Sequence, residues 1–352
     1  MRLHRTGKAR SLGAALVLCA GLLLGTAGCG SSDPGSSTAG RLEKLTLVAP
    51  PGPMAIPMAY LVIGDKLAGV AEDTELVIWE NGDQLKAIVA GGEGGFVTVP
   101  SNNAAIFHNK GLQLQLLDIS VWNITYLVTS DAQASSFSDI KGQSLVVSLE
   151  GSVPDVMFQY LATSEGLDVD KDFDLRYTTA PTEAAQLLLA GKVQNAVLSE
   201  ALATSVILQS EDRESALRRA LAFDEAWATA TGSAAVTDGV DAPPLTPIAG
   251  VVATASVMDK PEVIAAFEQE YAAAIRWIIA NPEAAGELVE NELPQLGLKA
   301  AVMTSSLENI TWAHTPATDA KARLEAFYSA LMELSPAVVG GKLPDDGFYY
   351  PP

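Results

Sequence analysis

Residues 137–204 alternate short apolar runs with helical patterns, and this rhythm restricts the fold more than any other feature of the chain. Ser144-Leu-Val-Val-Ser148 reads as a buried strand. After Glu150-Gly-Ser-Val-Pro154, the apolar residues Val156, Met157, Tyr160 and Leu161 recur at helical spacing. Ser152 suits an N-cap and Pro154 the first turn, where the missing N–H is not needed. A strand that ends in Gly-Ser before a helix aims unpaired backbone N–H groups at whatever lies beyond it. The strand-like Asp174-Leu-Arg-Tyr-Thr178 follows, then a helical pattern over 182–190 closed by Gly191, then Val193-Gln-Asn-Ala-Val-Leu-Ser-Glu200. Strand and helix alternating in this way predict an α/β fold with a parallel sheet and right-handed crossovers.

The chain before this stretch has the same grammar. Leu45-Thr-Leu-Val-Ala49 predicts a strand, Pro50 to Pro57 a stiff loop, and residues 58–67 an apolar helix. Ala55 and Ile56 fall at the carboxyl end of that strand, where open α/β sheets bind ligands, although a rigid connector fits the prolines equally. Glu75-Leu-Val-Ile-Trp79 and Phe96-Val-Thr-Val-Pro100 predict two further strands, with a helix over 83–90 between them. Ser101 is placed to cap the next helix, and Asn102 and Asn103 offer amide donors and acceptors at a strand end. Leu112-Gln-Leu-Gln-Leu-Leu117 alternates as a strand. Trp122 and Asn123 come just ahead of the apolar run 125–129; Trp122 suits either stacking on a planar ligand or a place in the core.

Beyond residue 204 the pattern predicts a charged helix over 210–222, then a Gly-, Pro- and Asp-rich loop over 231–247. Ile248-Ala-Gly-Val-Val-Ala-Thr254 returns as a strand. A long amphipathic helix over 263–280 carries Phe267, Tyr271 and Ile275 on one face, a stripe read as core. Residues 308–314 predict an extended piece before a helix over 317–334, and Trp312 in that piece is a candidate for reaching a ligand.

Several of these segments together resemble a known family. Asp139-Ile-Lys-Gly-Gln-Ser-Leu-Val-Val, Gly151-Ser, Glu165-Gly-Leu-Asp, and Glu183-Ala-Ala-Gln-Leu-Leu-Leu-Ala-Gly-Lys-Val-Gln-Asn-Ala-Val-Leu-Ser-Glu200 are similar, in this order, to the nitrate/taurine-type solute-binding proteins of ABC importers. The likeness extends from Leu45 to Tyr350. It implies the type II periplasmic-binding-protein fold, two Rossmann-like lobes joined by a two-strand hinge. Lobe one would comprise residues 45–129 and 248–352, and lobe two residues 130–247. The family usually has Glu-Pro where this chain has Glu200-Ala201. Strand ends, the hinge and the resemblance together nominate Ala55, Ile56, Asn102, Asn103, Trp122, Asn123 and Trp312 from lobe one as ligand contacts. From lobe two the candidates are Gly151, Ser152, Val153 and Glu200, with Ser152 and the N–H groups after it on an acceptor and, by resemblance, Glu200 on an amine or hydroxyl.

Residues 1–28 are expected to stay outside the fold. Arg2, Arg5, Lys8 and Arg10 precede an apolar stretch, 12–24, that is short for a membrane span. Gly25-Thr-Ala-Gly-Cys29 resembles a lipobox, which implies lipidation of Cys29, and residues 29–44 predict a flexible Gly/Ser tether. Cys19 and Cys29 are the sole cysteines, so the remaining sequence holds no disulfide, thiol nucleophile or cysteine metal site. His108 and His314 are read as surface or packing residues, and no metal or cofactor is expected. The formal charge of −20, or −24 without the leader cations, argues against nucleic acid as a partner.

The expectation is therefore an extracytoplasmic, lipid-anchored, monomeric receptor and not an enzyme. It would capture a small molecule by hinge closure and pass it to an ABC permease and its ATPase. The nominated loops carry no Lys, Arg or His, which favours a nitrogenous, zwitterionic or aromatic ligand over a sulfonate or nitrate. A sensor lobe for another membrane partner is a second reading. A pyrimidine-forming enzyme of the same fold is a third, weakened by the lack of cysteine.

Overall fold

The computed structural model describes residues 2–3, 41–232 and 246–351. Cys29, nearly all of the expected leader and tether, and most of the 231–247 loop lie outside the described residues.

The first half of the chain follows the predicted alternation. Strand β1 (Arg2–Leu3) is followed by β2 (Leu42–Ala49), α1 (Ile56–Ile63), β3 (Ala71–Ile78) and α2 (Gly82–Gly91). Asn81 caps α2, accepting the Gln84 N–H at 3.0 Å. Then come β4 (Phe96–Pro100), α3 (Ser101–Asn109), β5 (Leu114–Asn123) and β6 (Thr125–Thr129). A second run comprises β7 (Ser144–Ser148), α4 (Val153–Ser164), β8 (Asp174–Thr178), α5 (Pro181–Leu189), β9 (Asn195–Ser199), α6 (Leu202–Leu208), β10 (Arg218–Ala222) and α7 (Phe223–Ala230). The chain returns through β11 (Ala249–Thr254), α8 (Pro261–Ala280), α9 (Pro282–Glu292), α10 (Ala300–Glu308), β12 (Thr311–Pro316) and α11 (Ala317–Leu334).

These strands form two sheets. The first has the order β1-β3-β2-β4-β11-β5-β12 and the second β10-β6-β9-β7-β8. Two apolar clusters cover the faces of the first sheet: Leu47, Ile56, Phe96 and Phe267 lie in one, Val48, Val97, Leu116 and Phe327 in the other. The latter cluster runs on without a break into the second sheet through Phe137, Phe158 and Trp227. The C-terminal tail joins it: Phe348 and Tyr349 are buried, and the Tyr350 N–H donates to the Leu116 carbonyl at 2.9 Å. Among the described residues no helix is long and apolar enough to cross a membrane.

Three expectations are corrected. The charged helix expected over 210–222 is absent: β10 occupies its C-terminal half and pairs antiparallel with β6. Its arginines are spent on tertiary partners instead of a solvated face, Arg218 Nε donating to the Asp131 carbonyl at 3.0 Å and Arg219 pairing with Glu200. The run 125–129, placed with lobe one by resemblance, is the strand of the second sheet that lies between β10 and β9. Finally, Arg2–Leu3 pairs antiparallel with Val77 and Leu76 although residues 1–28 were expected to lie outside the fold. Without that pairing β3 would be an edge strand presenting unpaired N–H and C=O groups, which any short extended segment can satisfy.

Gly250 shows how closely β5 and β11 approach. A Cβ there would lie 1.9 Å from the Asp118 carbonyl oxygen, beside a register shift between the two strands. Only glycine lets β5 bulge inward at Asp118.

Candidate functional site

Strand direction locates the site. In the first sheet β2 runs parallel to β3 and β4, and β11 runs antiparallel to both β4 and β5. So β5 runs the same way as β4 and reaches its carboxyl end, Asn123, at the end of the sheet where β2, β3 and β4 also finish. In the second sheet β7 is parallel to β8 and β9, whereas β6 is antiparallel to β9, with Thr125 opposite Ser199. The crossing at Ile124 therefore joins the carboxyl ends of one sheet to the carboxyl ends of the other. The return enters at the same place, because Ala249 pairs with Pro100. Ser101 secures it: its hydroxyl donates to the Pro247 carbonyl at 2.5 Å and its N–H to the Ile248 carbonyl at 2.8 Å. Ser101 thus ties down the returning chain and does not cap α3, as the sequence had suggested. Loops at the carboxyl ends of parallel strands are where open α/β sheets bind ligands, and here two such sets meet at a double crossing.

Polar side chains fill the crossing. Asn123 Oδ1 accepts the Thr125 N–H at 3.1 Å, and the Thr125 and Ser199 hydroxyls lie 3.1 Å apart. The Tyr126 hydroxyl donates to the Asn309 carbonyl at 2.5 Å, and Thr311 Oγ1 donates to Asp224 Oδ2 at 3.4 Å. The Arg219 guanidinium sits 5.3 Å from the Tyr126 ring centroid. Burial, then the Glu200 and Asp224 charges, pushes the Tyr126 phenol up, and burial raises Asp224. Tyr126, Arg219 and Asp224 were not singled out in the sequence. Arg219 lies in the stretch that reads as a charged helix, Asp224 two residues beyond it, and Tyr126 within an ordinary strand pattern.

The nominated residues divide by what already occupies them. Ala55 and Ile56, at the start of α1, are fully buried. Trp122 is also fully buried, its indole N–H donating to the Ala313 carbonyl at 2.9 Å, so the structure selects the core reading. Asn102 spends its amide on the Val338 carbonyl at 3.0 Å. Glu200, given to a ligand amine or hydroxyl by resemblance, has a fully buried carboxylate. Oε1 receives Arg219 Nε at 2.8 Å, while Oε2 receives the Thr204 hydroxyl at 2.7 Å and its N–H at 3.2 Å. It is a closed ion pair. The Glu200–Ala201 peptide bond is cis.

Others remain available. Asn103 is half-buried and has no side-chain hydrogen bond among the described residues. The Trp312 indole N–H is buried and without a partner among them. In the second sheet the loop after β7 presents Gly151 exposed, and Ser152 and Val153 half-buried. Leu149, in the same loop, is 47% exposed and held at φ +56, a conformation bulky side chains rarely adopt.

The first turn of α4 differs from the sequence expectation. Ser152 holds the N-cap position, but its hydroxyl donates back to the Ser148 carbonyl at 3.3 Å. The anion at this helix end is internal. Asp155, fully buried, accepts the Gly151 N–H at 2.7 Å, the Gln159 amide at 3.1 Å and the Tyr177 hydroxyl at 2.9 Å. Burial, then the Asp155 charge, raises the Tyr177 phenol, keeping it a donor. An acidic residue in the first helical turn was the one signal that could have identified Asp155.

No protein-family model and no curated protein matches the chain. Solved structures do. An ABC transporter structure from Parabacteroides distasonis superposes with a TM-score of 0.71 at 22% identity, over 88% of this chain and 99% of that one. The periplasmic aliphatic sulphonate binding protein SsuA of Escherichia coli gives 0.63 at 16% identity, over 88% and 92%. The periplasmic nitrate-binding protein NrtA of Synechocystis gives 0.60 at 12% identity, over 84% and 82%. The fold is that of the type II periplasmic binding proteins. Its two α/β units, joined by strands β5–β6 and the return into β11, place the polar seam described above where the units meet.

Proposed function

We propose that this chain is the extracytoplasmic solute-binding receptor of an ABC importer. The observation that carries the reading is the double crossing, which faces the carboxyl ends of one sheet towards those of the other. One lobe is built on the seven-stranded sheet and the other on the five-stranded sheet. A small molecule touching both would stabilise the closed arrangement by its differential affinity for it, and a permease with its ATPase would recognise that arrangement.

Asn103 and the Trp312 indole N–H from the first lobe, and the Leu149–Gly151–Val153 loop and Tyr177 from the second, are the proposed contacts. Their chemistry argues about charge. Asp155 already neutralises the positive end of α4, Glu150 stands beside it, and Arg219 is consumed by Glu200. An inorganic anion or sulfonate would find no free cation among these residues, so the ligand class is neutral, zwitterionic or aromatic and nitrogenous. Isothermal titration against amino acids, nitrogen heterocycles, alkanesulfonates and nitrate tests this. A nitrogenous hit at 100 times its Kd should stabilise the protein by about 2.7 kcal/mol. Exclusive binding of sulfonate or nitrate would overturn the ligand class, and no binding from a broad metabolite panel would overturn the receptor reading.

The membrane anchor belongs to the same proposal. Cys29→Ser should move the protein from the membrane fraction to the soluble fraction of expressing cells; an unchanged distribution would remove lipidation from the reading.

A further inference from the structure

Away from the crossing, three elements distant in sequence bring together one imidazole and two carboxylates. Asp118 lies within β5, Glu268 on α8 and His314 on β12, and one donor atom from each lies within 4.8 Å of the others. Along β5, Asp118 is five residues from Asn123, about 16 Å at the rise of an extended chain, so this cluster is not part of the ligand seam.

The sequence around each residue makes its polarity unexpected. Asp118 interrupts the run Leu116-Leu117-Asp118-Ile119 and is fully buried. Glu268 falls on the apolar stripe of α8, four residues after Ile264 and three before Tyr271. Both Asp118 carboxylate oxygens and Glu268 Oε1 are buried without a hydrogen-bond partner among the described residues. Glu268 Oε2 meets His314 Nε2 at 3.1 Å. Isolated carboxylates cost several kcal/mol each to bury, so such groups normally pair or coordinate a cation.

The backbone is shaped to make this arrangement. β12 pairs Trp312 with Val121 and Thr315 with Ile119, so Ala313 and His314 together oppose the single residue Ser120. This is a bulge, which re-aims a side chain out of the regular alternation. The register shift of β5 against β11, and the glycine that permits it, act on Asp118 in the same way. Around the donors, Ser120 Oγ lies 3.1 Å from the Tyr271 hydroxyl. Glu268 and His314 keep side-chain exposures of 21% and 16%, which leaves a path from solvent.

We propose that Asp118, Glu268 and His314 form a binding site for one divalent cation of the zinc or manganese class. One imidazole nitrogen with two carboxylates suits these borderline ions. Calcium would need six to eight oxygen ligands, more than this cluster offers. Zinc–ligand bonds of about 2.0–2.2 Å put tetrahedral donors roughly 3.4 Å apart, close to the His314–Glu268 spacing and within a small side-chain adjustment of the rest. The ion would satisfy the orphaned oxygens and fasten α8 and β12 to the centre of the sheet. Arg276 adds a positive charge near His314, and burial favours the neutral form of Asp118, so a bound dication has to displace protons from the cluster as it binds. The inference does not depend on what the crossing binds.

The test uses the full chain, free of any polyhistidine tag and stripped with EDTA. Titration with Zn2+, Mn2+, Ca2+ and Mg2+ is read by calorimetry and thermal melting, and Co2+ by its visible absorption. One equivalent of Zn2+ or Mn2+ should bind and raise the melting temperature, and Co2+ should give d–d bands of a low-symmetry N/O site. His314→Gln and Glu268→Gln, which keep the size and polarity of mostly buried side chains, should fold and lose that equivalent and the bands; Asp118→Asn should do the same. A wild-type chain that binds no stoichiometric cation overturns the proposal. So does one equivalent that survives in all three variants, which would be an adventitious ion on an acidic surface. Asp118→Asn more stable than a cation-free wild type would identify a protonated acid cluster instead.

Discussion

Glu200→Ala is expected to lower the stability of the protein by about 3–5 kcal/mol, the usual cost of breaking a buried ion pair by removing one partner. The carboxylate is fully buried and receives Arg219 Nη2 at 2.6 Å as well as the Thr204 hydroxyl. Its removal leaves the guanidinium half-buried beneath the Tyr126 ring with no counter-charge. Glu200→Gln keeps the shape and the Thr204 contact but loses the charge, and should cost about 1.5–3 kcal/mol. Urea unfolding measures both. If Glu200→Ala left the unfolding midpoint unchanged and weakened ligand binding alone, the carboxylate would be a ligand contact and the ion pair incidental to stability.

The contrast between Glu200 in sequence and in structure shows where sequence reading stops. The alternation of strands and helices was legible because it rests on local periodicity: β4, β8 and α11 begin and end on the residues that the apolar pattern selects. Arg218 and Arg219 were misread because a strand that places its charges on tertiary partners has no local signature distinct from a solvated helix. Trp122 could not be assigned between ligand and core, since the deciding fact is the Ala313 carbonyl, 191 residues away. Asp155 and Tyr177 were missed for the same reason, their partnership spanning α4 and β8. His314 reads as a surface or packing residue because a histidine-based site would need His108 to converge with it, and their spacing gives no sign of that. The carboxylates that join it come from β5 and α8, and a single acidic residue in an apolar run is the sole trace each leaves in the sequence.

Trp227→Ala should produce the second large effect and bears on how the two lobes adhere. Trp227, on α7, is buried, stacks on Tyr160 of α4 at 4.7 Å and meets Phe327 of α11 edge-on at 5.1 Å. α4 and α7 accompany the five-stranded sheet, whereas α11 follows β12 of the seven-stranded one. Truncation removes a large buried ring and leaves a cavity that cannot fully collapse, so a loss of about 3–5 kcal/mol is expected. A double-mutant cycle with Phe327→Ala separates two contributions. If the ring pair bridges the lobes energetically, the two variants should be non-additive by about 0.5–1.5 kcal/mol, the usual worth of an aromatic pair beyond its buried area. Additivity within about 0.3–0.5 kcal/mol would mean that each ring stabilises its own lobe and that the interface opens without breaking their contact. The first outcome would make this pair a latch that any hinge opening must release. The second would leave the crossing strands as the main restraint between the two lobes, since Glu200 and Arg219 both stand on the five-stranded sheet.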